Sequence, residues 1–166
     1  AKLGMRLTKM IAAIKGWGYR SKFVNALAFG SYNRKFKPGR TDKDWLTKDE
    51  KIVDDYIKDE RCQFLFTLNG YYNLFFSLAK LSNKDYIQKM PKNLPVLFVS
   101  GEDDPVGNFG KGVKKVVDTF KENGMKRVSC KMYPNDRHEI LNELDRKKIY
   151  QDLYEWIQKT MKYKAE

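Results

Sequence analysis

The segment from Leu94 to Tyr133 constrains the fold more tightly than any other. Pro95-Val96-Leu97-Phe98-Val99-Ser100 is an unbroken apolar run between a proline and Gly101, a pattern that suits a strand covered on both faces, as in a parallel sheet. A loop rich in Gly, Asp and Pro follows at 101–110, GEDDPVGNFG. Val113, Val116, Val117 and Phe120 then recur at helical spacing, and Asn123-Gly124 supplies the stop. Arg127–Tyr133 reads as a second strand closed by Pro134. Beyond the loop at 135–139, Ile149, Leu153, Trp156, Ile157 and Met161 mark a final amphipathic helix. Two strands joined through a helix run parallel, with a right-handed crossover. In open α/β sheets ligands bind beyond the carboxyl ends of the strands. Both loops leave from such ends, one with a cluster of acids and the other with the only histidine in the chain.

Taken singly, these residues say little. A lone loop histidine is compatible with a plain surface residue, and loop aspartates usually cap or turn the backbone. Taken together, Asp104 and His138 lie on neighbouring strand ends, where a carboxylate can orient an imidazole for proton transfer. One histidine with two distant cysteines, Cys62 and Cys130, is no metal-ligand set, although Asp103, Asp104 and His138 could hold an adventitious ion. Two cysteines are also too few for a disulfide framework. Cys130 is expected in a buried strand, as a small hydrophobe.

The first half reads as helical. Leu3, Leu7, Met10, Ile11 and Ile14 share one helical face, and a break follows at Gly16-Trp17-Gly18. A second helix is expected over Ser21–Phe29, a loop over 30–45, a helix capped by Thr47 in a capping box with Glu50, a helix over Tyr71–Leu81, and a short one before Pro91. The net charge of +12 is concentrated at the start: residues 1–40 hold ten Lys and Arg and no acid. Such a field attracts anionic surfaces, lipid or nucleic acid. No zinc-finger spacing or RNA-binding motif accompanies it, so nucleic acid is not expected as a partner. No apolar run spans a bilayer, no secretory signal opens the chain, and cytoplasmic residence is expected, with peripheral attachment to an anionic membrane surface as a further expectation.

Residues 94–157 resemble the C-terminal segment of the monoacylglycerol lipase and lysophospholipase group of α/β-hydrolases. The resemblance is carried by LPVLFVSGEDDPVGNFGKGV and KMYPNDRHEILNE. In that group the triad acid is the fourth residue of a Gly-x-x-Asp turn, which falls on Asp104, and the histidine of the next loop falls on His138. WLTKDEKIVDDYIKDERCQFLFT (45–67) is similar to the linker between cap and core in bacterial members. The resemblance implies an α/β fold: residues 1–66 as a helical cap or lid, and 67–166 as the C-terminal part of the core, parallel strands with flanking helices. Met5, Met10, Trp17, Phe23 and Phe29 could line an acyl tunnel or simply pack the cap.

The implied activity is serine hydrolysis of carboxylic esters, lysophospholipids or monoacylglycerols, without a cofactor. The G-x-S-x-G elbow that carries the nucleophile in this fold is absent from these 166 residues. Ser31, the nearest candidate, lacks the second glycine and follows a helix-like segment. The expectation is therefore a chain that lacks the nucleophile half, is inactive alone, and associates with that half or with a second copy, since two strands make too small a sheet. A non-catalytic binding or scaffold module using the basic N-terminal surface is the alternative.

Overall fold

The computed structural model describes residues 1–81 and 83–162. Its first layer is helical. α1 (Lys2–Lys15) ends at Gly16, whose φ of 81° lies where a side chain would be strained. α2 (Lys22–Phe29) is capped by Ser21, whose side chain accepts a hydrogen bond from the Val24 N–H. α3 spans Glu50–Lys58 and α4 spans Leu68–Leu81. Ala12, Val24, Leu68 and Tyr71 form a buried cluster that joins α1, α2 and α4, with Ile11, Ala28, Phe29 and Phe75 packed against it. Gly4 lets α1 approach closely, because a Cβ there would sit 2.7 Å from the Phe75 ring. The buried Tyr71 hydroxyl donates to Asn25 Oδ1 at 2.7 Å, so the one polar atom of that side chain is satisfied. The buried face of α4 thus meets α1 and α2, across position 66.

Two starts differ from the sequence expectation. α3 begins at Glu50 with Asp49 as its cap, accepting from the Ile52 N–H, rather than at Thr47. Thr47 is almost fully buried; its hydroxyl accepts from the Asp49 N–H at 3.1 Å, a local turn ahead of the helix, and donates to the Asn142 carbonyl at 3.0 Å. α4 begins three residues before Tyr71, because the Thr67 hydroxyl accepts from the Gly70 N–H, and the Asn69-Gly70 pair, an ordinary turn signal, lies inside the helix.

The second half is a layered α/β unit. α5 (Lys84–Gln88) leads into β1 (Val96–Gly101), then α6 (Lys111–Glu122), β2 (Val128–Tyr133) and α7 (Arg146–Lys162). β1 and β2 pair in parallel, from Val96 opposite Val128 to Gly101 opposite Tyr133. Strand alternation places Phe98 against Phe120 of α6, ring centroids 5.0 Å apart, and its neighbour Val99 on the cluster of Tyr133, Ile140, Ile149 and Leu153 that joins β2 to α7. Helices therefore pack on both faces of β1, although the apolar residues Val96–Val99 are only partly buried and full cover is reached at Ser100 and Gly101.

Cys130 corrects the expectation of a buried thiol. It is exposed, because β2 pairs with β1 alone among the described residues and its middle, Ser129–Lys131, stays open to solvent. No helix among the described residues is long and apolar enough to cross a membrane.

Candidate active site

The acid loop and the histidine loop leave the paired ends of β1 and β2 and are stitched together at once. The Glu102 N–H donates to the Tyr133 carbonyl at 2.9 Å, and the Asp103 N–H donates to the Asp136 carbonyl at 2.8 Å. Gly101 makes this approach possible: a Cβ there would fall well inside 3.0 Å of the Asp136 and Arg137 carbonyl oxygens. Asn108, Phe109 and Asn135 are the non-glycine residues with left-handed backbone among those described, and all three lie in these two loops. Such conformations persist only where surrounding contacts enforce them. One enforcing contact is the Phe109 N–H, which donates to the Asp104 carbonyl at 2.8 Å.

The structure brings Asp104 and His138 together. His138 Nδ1 lies 3.1 Å from Asp104 Oδ1, the arrangement that holds an imidazole in one tautomer and leaves Nε2 as the base. The same carboxylate oxygen accepts from the Val106 N–H at 2.8 Å, which fixes the acid. Asp104 is buried, whereas the His138 side chain is 37% exposed. The hydrogen bond to Asp104 raises the imidazole above its ordinary value; burial opposes this, and the charges of Asp104 and Glu139 add to it. The ring can thus accept a proton more readily than free histidine, while Nε2 has no partner among the described residues.

A second set of residues, not singled out by sequence reasoning, holds the imidazole from the side of the helical layer. The Trp45 ring lies 5.2 Å from the His138 ring, and Tyr32 packs on Trp45 at 5.1 Å. The Tyr32 hydroxyl is raised above its ordinary value by burial and then by the nearby Asp104 charge. The His138 N–H reaches the Trp45 carbonyl, and the Glu139 N–H reaches the Leu46 carbonyl at 2.7 Å. The Arg137 guanidinium donates to the Asp44 and Thr47 carbonyls and lies over the Phe36 ring at 4.4 Å. Lys35 pairs with Asp103. Both loops are therefore fastened to residues 32–49. That the segment 45–67 resembles a cap–core linker was visible in the sequence; these individual contacts between the loops and residues 32–49, from 68 residues apart for Lys35 and Asp103 to 101 for Phe36 and Arg137, carried no local signal.

Among the described residues no group of three His, Cys, Asp or Glu side chains is placed to hold a metal ion; Asp103 is engaged by Lys35 and Asp104 by His138. A cavity of about 760 Å³ reaches the pair only through Trp45, since neither Asp104 nor His138 lines it; Phe29, Trp45, Tyr56, Phe64, Phe66 and Tyr71 are among its walls, with Lys37, Lys43 and Arg61 at its polar part. Trp45 is common to the cavity and the His138 contact. Of the residues considered for an acyl tunnel, Phe29 lines this cavity, whereas Met10, Trp17 and Phe23 are exposed at 68%, 44% and 59%; they lie on surfaces that this chain leaves open to solvent.

The model of the family described as "Serine aminopeptidase, S33" matches residues 5–145. Among solved structures, a thermostable carboxyl esterase from Bacillus coagulans in complex with glycerol is 24% identical with a TM-score of 0.84, over 93% of this chain and 50% of that one. A lipase in its open form is 22% identical with a TM-score of 0.82, over 94% of this chain and 53% of its own length. A soluble variant of monoglyceride lipase from Saccharomyces cerevisiae, in complex with a substrate analog, is 22% identical with a TM-score of 0.56, over 86% and 53%. The chain therefore spans about half the length of these structures, and the likeness is one of fold. No curated protein matches the sequence.

Proposed function

The chain belongs to the serine aminopeptidase S33 family, an α/β-hydrolase family, and on that footing we propose that Asp104 and His138 are the acid and the base of a Ser-His-Asp triad that hydrolyses carboxylic esters. The observation that carries the proposal is the 3.1 Å contact between Nδ1 and Oδ1 at the ends of adjacent parallel strands. The serine is supplied by polypeptide outside these 166 residues, since no G-x-S-x-G elbow occurs within them. In the reaction His138 Nε2 takes the serine proton as the hydroxyl attacks the ester carbonyl, and then hands it to the leaving alcohol. Asp104 keeps Nδ1 protonated and stabilises the imidazolium. Backbone N–H groups outside this chain stabilise the oxyanion.

The aromatic lining of the neighbouring cavity favours an acyl chain or a lipid glyceride, and lysophospholipids or monoacylglycerols are the proposed substrates. The names of the structural neighbours, a carboxyl esterase and lipases, support esters over peptides. The basic first 40 residues are assigned to an anionic lipid surface: α1 carries Lys2, Arg6, Lys9 and Lys15 beside Leu3, Met10 and Ile14, which are 79%, 68% and 82% exposed.

The test is turnover of a p-nitrophenyl ester by a polypeptide that includes the elbow. Asp104→Asn is expected to lower kcat about 10⁴-fold, with His138→Ala at least as severe, and the 166-residue chain alone is expected to be inactive. Full turnover in either variant defeats the assignment.

A further inference from the structure

Five residues beyond His138, Glu143 is fully buried although it carries a charge. The 3₁₀ turn at Ile140–Asn142 folds it back beneath the histidine loop. Its Oε1 accepts from the Arg137 N–H at 2.9 Å and from the Lys48 N–H at 3.3 Å; its Oε2 accepts from the Lys48 N–H at 3.2 Å and the Leu144 N–H at 3.4 Å. The Lys48 ammonium lies 3.8 Å from Oε2 and 2.6 Å from Asp136 Oδ1. Asp136 is also fully buried, and its Oδ2 has no partner. Two buried carboxylates thus face one ammonium, and such a cluster is poor at adding stability compared with apolar packing of the same volume. What it does supply is a single geometry. Its bonds run to the N–H next to His138 and to the N–H three residues after Trp45, on the two segments that hold the imidazole.

We propose that Glu143 is a positioning residue for His138: its carboxylate ties the 136–139 loop to the 44–49 segment, so that Nδ1 is held against Asp104 and the ring against Trp45. Glu143 touches no reacting atom and acts through the backbone of Arg137 and Lys48. The inference rests on the assignment of His138 as the base. It adds a device that neither strand end provides: the paired strands bring the two loops to one edge, but the bonds of Glu143 set the height and tilt of the histidine within its loop.

The readout is the tautomer of the neutral imidazole, followed by ¹⁵N NMR in the 166-residue chain, where His138 is the only histidine. The native chain should show the Nδ1–H form. Glu143→Gln keeps the shape, but it turns an NH2 group toward backbone donors among the Arg137, Lys48 and Leu144 N–H groups that the carboxylate accepts from. The ratio of Nδ1–H to Nε2–H is expected to fall about tenfold, the factor that a hydrogen bond to a charged group supplies. A change in distant charge alone would move the titration but not the tautomer. Glu143→Asp, which retracts the carboxylate by one methylene, should move the ratio in the same direction by less, and it decides the matter if Glu143→Gln fails to fold. A folded Glu143→Gln chain with the native ratio, or a Glu143→Asp chain indistinguishable from native, overturns the proposal. Asp104→Asn separates the two readings: if it leaves the tautomer unchanged, the assignment of His138 as base fails by itself; if it abolishes the preference while the Glu143 variants do not, only the positioning role fails.

Discussion

Gly101→Ala should damage the fold and the site together. The added Cβ would meet the carbonyl oxygens of Asp136 and Arg137 far inside 3.0 Å, a separation that real Cβ atoms essentially never breach. These are backbone atoms, so no rotamer can relieve the clash, and the histidine loop must recede by roughly 1 Å. Overpacking of this kind costs ~1–3 kcal/mol. The stitch from the Asp103 N–H to the Asp136 carbonyl, now 2.8 Å, is lost as well, for about 1 kcal/mol more. Together that is about 3 kcal/mol, or a fall in Tm of about 6–12 °C for a chain of this size. The same recession lengthens the Nδ1–Oδ1 contact from 3.1 Å to roughly 4 Å, beyond hydrogen-bonding range. Circular dichroism melts and the imidazole NMR signal read the two consequences separately. Gly107→Ala is the control, because its Cβ meets Val113 at 3.2 Å and Asp104 Oδ2 at 3.3 Å, contacts that a few tenths of an ångström would relieve. A Gly101→Ala chain with native Tm and a native His138 titration would refute the reasoning.

Stability should also depend on pH through His138. Its folded value is raised above 6.5, so the contribution of the pair is fully present below 6.5 and is lost as the pH rises through the folded midpoint; Tm should decline across that window in the native chain and decline less in His138→Ala. Ser21→Ala removes the cap on the Val24 N–H and should cost ~1 kcal/mol, a few degrees in Tm, without altering the imidazole titration. Co-sedimentation with vesicles should rise with anionic lipid content and fall with salt; binding indifferent to both would remove the electrostatic role of residues 1–40.

The sequence shows the second half of this fold plainly because its signals are local. Val96–Val99 is apolar without interruption, the α6 residues recur at helical spacing, and both chemistry-bearing loops follow strands directly. The pairing of Asp104 with His138 is legible for the same reason, since parallel strands joined by one helix lie side by side. What the sequence hides is long-range. Thr47 and Glu50 make a sound capping box on paper, but the Thr47 hydroxyl accepts from the Asp49 N–H ahead of the helix and donates to Asn142, 95 residues away. Glu143 looks like any solvated acid until the turn at Ile140–Asn142 folds it inward. Cys130 sits in an apolar-looking strand, yet the open flank of β2 exposes it. Trp45 and Arg137 acquire meaning only once the helical layer is set against the strand ends.

The most direct measurement is the NMR titration of the single imidazole in the native chain and in Asp104→Asn. The account predicts a native midpoint above 6.5 that drops when the carboxylate becomes an amide. Superimposable curves at the value of a free histidine would show that residue 104 does not reach the ring, and the proposed catalytic pair would be contradicted.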